Sequence, residues 1–181
     1  MKKDFEKNGV RALTLAAMLI AMSVVIGIFC KSVLNFGGGL FRITFENFPI
    51  ILSGILFGPV VGGVVGVGSD LISYLLSGQT YPPNLVVTLG AAAVGVISGL
   101  VSRFIIKKRG TGQVILAGAT AHAVGSMIIK PIGLYAFYGL AVLWRIPLYL
   151  VIAPLEILIL ALLFKNGTFR RLTDDIGIRE R

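Results

Sequence analysis

Six apolar stretches, separated by charged or turn-forming residues, occupy most of the chain and leave it few ways to fold. They run over residues 10–30, 44–57, 59–77, 84–106, 112–138 and 143–165. A helix that crosses hydrocarbon needs about 20 apolar residues, a length that all but the second approach or exceed. The second reaches only ~21 Å at ~1.5 Å per residue, so it must tilt, kink at Pro49 or border a water-filled vestibule. Charged residues make up 14% of the chain, against about 25% in soluble domains. The pattern predicts an all-α integral membrane bundle of six transmembrane helices, a single membrane domain over residues 1–181. The first stretch is longer than the apolar region of a signal peptide and no small-residue cleavage site follows it, which keeps it as the first helix.

Lysine and arginine predict the orientation. With six spans both termini lie on one side, together with the loops joining spans 2–3 and 4–5. That side receives 13 of the 17 basic residues, so both termini are expected to be cytoplasmic. The net charge of +9 then reflects topology and attraction to lipid headgroups. No nucleic-acid motif accompanies it, and no nucleic-acid partner is expected.

Four basic residues escape this explanation: Lys31, Arg42, Lys130 and Arg145, all near the outer ends of spans. Three acids, Glu46, Asp70 and Glu156, lie within spans or at their edges. Intramembrane ionisable groups are costly and usually face a cavity or a partner. Asp70 falls near the midplane with Tyr74 one turn above it. It either bonds a neighbouring helix or accepts hydrogen bonds from a ligand's N–H edge. Arg42 and Glu46, four residues apart, either pair on a helix or line a pocket. Lys130 either snorkels to the headgroups or enters space opened by a kink at Pro131. Arg145, beside Trp144, reads as an interface anchor. Glu156 has no evident ligand role. His122 shares a helix face with Ser126 and Lys130 and, without a second ligand, reads as a packing or hydrogen-bonding residue and not a metal site.

Gly58, Gly62, Gly66, Asp70, Tyr74 and Gly78 recur every fourth residue in the third stretch. The line predicts a lower half that packs closely on other helices and an upper half that turns Asp70 and Tyr74 toward a pocket. The loop GQTYPPNL joins spans 3 and 4, with Pro83 in the first turn of span 4 and Tyr81 as a turn residue or an aromatic lid. Ala12, Ala16, Ala17 and Ala21 form a small-residue line in span 1, suited to internal packing or to docking another membrane subunit. No HExxH, GxSxG or Walker A sequence is present, so no enzymatic activity is expected. The lone Cys30 excludes an intrachain disulfide. No metal or other cofactor is called for.

The run from Arg42 to Leu76, RITFENFPIILSGILFGPVVGGVVGVGSDLISYLL, resembles the substrate-binding S components of energy-coupling factor (ECF) vitamin transporters, above all their folate branch. The similarity rests on Arg42, Ile43, Phe45 and Pro49, on GILFGP at Gly54 to Pro59, and on the Asp70–Leu71 pair. LTLAAMLIAMSVV in span 1 is similar to the family's AxxxA docking helix, matched at Ala17 and Ala21. The resemblance implies a six-helix vitamin binder in a bacterial plasma membrane. It would work with a transmembrane coupling subunit and two ATPase subunits, which alone hydrolyse ATP. For a folate ligand, Arg42 and Lys130 suit the glutamate carboxylates and Asp70 suits the pterin edge. Tyr74, Tyr81 and Phe45 are candidate walls, with Glu46 beside them and Asn84 offering amide hydrogen bonds. The Tyr81–Leu85 loop, YPPNL, departs from the folate branch's more aromatic pattern. Other small vitamins or precursors (pantothenate, biotin, a deazapurine) therefore stay open, as does a membrane scaffold without a ligand.

Overall fold

The computed structural model of the chain describes residues 2–36, 41–77, 83–106 and 110–175. Helix α1 (Lys2–Val33) leads into a two-residue antiparallel ladder of β1 (Asn35–Phe36) and β2 (Phe41–Arg42), with Asn35 opposite Arg42. Then follow α2 (Asn47–Phe57), α3 (Pro59–Leu76) and α4 (Leu85–Leu100), the last extended by a π-helical turn over Val101–Ile105. Helix α5 (Thr111–Ala121) widens into a π-helical segment, His122–Ile129, before α6 (Lys130–Tyr138). A 3₁₀ turn over Gly139–Trp144 precedes α7 (Arg145–Lys165), and α8 (Gly167–Asp175) ends the described chain.

Four helical stretches are long and apolar enough to cross a membrane: Gly9–Val33, Pro59–Leu76, Leu85–Ile105 and the composite Thr111–Lys165. The composite spans 55 residues, ~80 Å if straight, far more than one bilayer. It folds back at Gly139, whose φ of +55° suits glycine, and α7 returns alongside α5. Gly58, at φ +94°, makes the other reversal. Pro59 follows it at the start of α3, where a missing N–H costs nothing.

Helix α2 resolves the problem of its length by burial. Its run from Pro49 to Ile55 is buried throughout, and it packs on α1, α3, α4, α5 and α7. Pro49 does not kink it. The proline sits in its first turn, where no intrahelical hydrogen bond is lost. The core gathers around α2 as Ile50, Ile51, Val65, Val94, Val114 and Leu160. Large apolar side chains such as Val60, Val64, Leu75, Leu150 and Val151 remain exposed on the outside of the bundle, as a lipid-facing surface requires.

The glycine line of α3 packs as the sequence suggests. A Cβ on Gly62 would collide with the carbonyl oxygen of Gly95, and one on Gly95 with that of Gly62. Helices α3 and α4 therefore meet backbone to backbone, which recovers in van der Waals contact what glycine loses in propensity. Two local expectations fail. Residues 43–45 are not helical, so Arg42 and Glu46 are not neighbours on a helix face. Pro83 lies outside α4 and is exposed. Asn84 caps that helix instead, its Oδ1 accepting from the N–H groups of Val86 and Val87.

Candidate functional site

A cavity of about 700 Å³ opens where the ends of α1, α3, α6 and α7 meet, within the 300–1,000 Å³ range of small-molecule sites. Each polar lining group follows from the position of its helix. Asp70 and Tyr74 come from the upper half of α3, Lys130 from the first position of α6, and Glu46 from the turn entering α2. Counting along α3, Asp70 lies ~9 Å below the helix end, and Lys130 ~12 Å below the end of α6. These are floor residues. Lys31 in the last turn of α1 and Arg145 in the first turn of α7 form the rim. Tyr138, Phe137 and Tyr149 provide aromatic wall.

The floor is organised by hydrogen bonds between helices. Thr88 of α4 donates its hydroxyl to Asp70 Oδ2 at 2.7 Å. The Lys130 ammonium donates to Asn47 Oδ1 at 3.0 Å and meets Glu46 Oε1 at 3.5 Å. At the rim, Lys31 donates to Ser77 Oγ at 2.8 Å. One small volume thus holds two carboxylates and three cations, with Asp70 and Lys130 held in place by neighbours. Such a site suits a zwitterionic or anionic ligand that also carries N–H donors.

Five residues picked from the sequence line this cavity together: Glu46, Asp70, Tyr74, Asn84 and Lys130. Lys130 does not snorkel; it is 5% exposed and points inward. Asn84 offers little to a ligand, because its amide nitrogen donates to the Gly133 carbonyl at 2.5 Å while its oxygen caps α4. Phe45 is half-buried in the connection before α2 and lies off the cavity wall. Arg42 is placed by its backbone, in β2 opposite Asn35, and Asn35 lines the cavity. Tyr81 lies outside the described residues.

Sequence reasoning missed two members of the site, Lys31 and Arg145. Arg145 was expected to anchor the interface, yet it lines the cavity. The signal lay in the four cations that orientation leaves unexplained, three of which, Lys31, Lys130 and Arg145, line this one cavity. Along α1, Ala17 and Ala21 are exposed whereas Ala16 belongs to the core.

An apolar helical bundle with a charged cavity at one end is the build of a membrane protein that receives a small polar ligand. A family model described as ECF transporter, substrate-specific component, matches residues 11–169, and the chain belongs to that family. The folate transporter FolT of Clostridium novyi is 32% identical over 104 residues, covering 57% of this chain and 58% of that protein. An uncharacterised Mycoplasma pneumoniae protein is 32% identical over 114 residues, 58% of this chain and 23% of that protein. The matches thus span about a quarter and somewhat over half of these curated relatives. A crystal structure of FolT bound with folic acid is similar at a TM-score of 0.66 and 25% identity, covering 86% of this chain and 93% of that one.

Proposed function

We propose that this chain is the folate-binding S component of an ECF importer. It captures folate from outside the cell and delivers it with a transmembrane coupling subunit and two ATPases. It sits in the bacterial plasma membrane with six spans and both termini in the cytoplasm. The similarity to FolT and to its folic acid complex supports the ligand. The basic residues gathered at the two termini and at the loop joining spans 4 and 5 support the orientation.

The observation that carries the reading is the layered charge of the cavity. Asp70, fixed by Thr88, presents a carboxylate on the floor, matched to the flat amino and ring N–H edge of a pterin. Tyr74 lies one turn above it on the same helix wall. Lys31 and Arg145 stand at the rim, where the two carboxylates of the glutamate tail emerge. A guanidinium can take one of these bidentately. This division shifts the tail from Lys130 toward the rim and leaves Lys130 among the floor groups.

Mass spectrometry of small molecules released from the purified protein tests the assignment. A folate species at near one equivalent is expected. A different vitamin recovered at that ratio overturns the folate assignment while keeping the family.

A further inference from the structure

His122 and Glu156 are fully buried and do not line the cavity. Both are ionisable groups in the interior of a bundle, where unpartnered polarity is expensive, and ligand binding as described has no use for them. Their partners lead back to the cavity. Lys130 donates to Asn47 Oδ1 at 3.0 Å. The Asn47 amide nitrogen donates to Ser126 Oγ at 3.5 Å. Ser126 Oγ lies 3.3 Å from His122 Nδ1, and His122 Nε2 lies 2.7 Å from Glu156 Oε2. The other oxygen of Glu156 accepts the Phe48 N–H at 3.1 Å.

With a neutral imidazole, these distances fit one consistent direction of donation. Lys130 gives to Asn47, Asn47 to Ser126 and the Ser126 hydroxyl to Nδ1, which leaves Nε2–H facing the Glu156 carboxylate at 2.7 Å. Both sides of the Asn47 amide are occupied, so Asn47 cannot turn it over without facing donor to donor at Lys130. The Glu156 end is fixed as well, because its carboxylate at the start of α2 accepts the Phe48 N–H and meets the helix dipole. Three successive residues are therefore tied to four different elements. The Glu46 carbonyl accepts from Ser23 of α1 at 2.7 Å, Asn47 joins the π-helical segment and α6, and Phe48 joins α7.

We propose that Asn47, Ser126, His122 and Glu156 act together as positioning residues for Lys130, holding its ammonium at the cavity floor and carrying any change in its charge or place to His122. The π-helical segment carries His122 and Ser126 and runs directly into Lys130 at the start of α6. The relay rests on the proposed ligand site for its biological use but not for its existence.

His122 is the one histidine of the chain, so selective ¹⁵N-imidazole labelling of the full-length protein in lipid nanodiscs yields the spectrum of that ring alone. The Nε2–H tautomer is expected, with one protonated and one unprotonated ring nitrogen. Lys130→Met should move both resonances although the two residues are two helical turns apart, and Lys130→Arg should move them less. Asn47→Leu, of nearly the same size, should reproduce the Lys130→Met spectrum and covers the case in which the methionine variant does not fold. A His122 spectrum unchanged in the variants that fold overturns the relay.

Folate titrated into the wild-type protein should shift the His122 lines saturably, and Asn47→Leu should abolish that shift. Folate binding by fluorescence without any His122 shift counts against the relay and leaves the folate reading standing. Absent folate binding alongside the Lys130→Met shift counts against the folate reading and supports the relay.

Discussion

Thr88 of α4 donates its hydroxyl to Asp70 of α3 at 2.7 Å, across the helix pair that glycine brings into backbone contact. The bond fixes one carboxylate oxygen. The close approach of the two helices is what brings a threonine to that oxygen, so the packing of the lower bundle and the shape of the cavity floor are one arrangement. Thr88→Val keeps the volume and removes the donor. It is expected to weaken folate binding roughly three- to tenfold, less than the full worth of a hydrogen bond to a charged acceptor because the lost bond positions Asp70 and does not touch the ligand, by titration of intrinsic fluorescence. An unchanged affinity would remove Thr88 from the site.

The rim and the floor should separate by ligand. Lys31→Ala and Arg145→Ala are each expected to lower affinity for folate about tenfold, as for loss of a charge-assisted hydrogen bond. Affinity for pteroate, which lacks the glutamate, should change much less. Equal losses for both ligands would place these cations in structural support and not in recognition of the tail.

Glycine packing predicts opposite signs at two positions. Gly95→Ala drives a methyl into the Gly62 backbone and should destabilise the detergent-solubilised protein by about 1–3 kcal/mol, the usual cost of overpacking. Gly112, in the first turn of α5, has no atom within 4 Å of an added Cβ. Gly112→Ala should be neutral or stabilising by up to ~1 kcal/mol. Thermal unfolding followed by size-exclusion chromatography distinguishes the two.

Ala17 and Ala21 are exposed on α1, so leucine at either position has room in the isolated chain. Stability should stay within ~0.5 kcal/mol of wild type, while co-purification with the coupling subunit is expected to fall sharply. Retained assembly in the double variant would move the docking surface elsewhere.

Much of the architecture was legible because hydrophobic length and glycine spacing are local signals. The ends of α3 and α7 lie within one or two residues of the apolar runs, and the line through Gly62 and Gly66 announced a close-packed helix. Helix α2 was harder. Its 11 residues look too short for a span, and only the three-dimensional arrangement reveals that other helices surround it. Glu46, Asp70 and Lys130 stood out because charge in an apolar run is rare. Lys31 and Arg145 lie at span ends, where cations are ordinary, so their only mark was that orientation left them unexplained. His122 and Glu156 lie 34 positions apart in sequence, and their pairing depends on the reversal at Gly139. His122 reads from the sequence as a packing or hydrogen-bonding residue, and its partners Ser126 and Glu156 emerge only with α5 and α7 side by side.

In the proposed function, the cavity floor recognises folate through the Asp70 carboxylate. The most direct test is equilibrium titration of folate into the purified chain without ATP, beside Asp70→Asn, with thermal unfolding verifying that both are folded. Saturable binding at one site is expected, weakened at least tenfold by the asparagine, which keeps the shape but replaces an acceptor with a donor. Folate binding of equal strength in the two proteins, or no saturable binding by the folded wild type, would contradict the account.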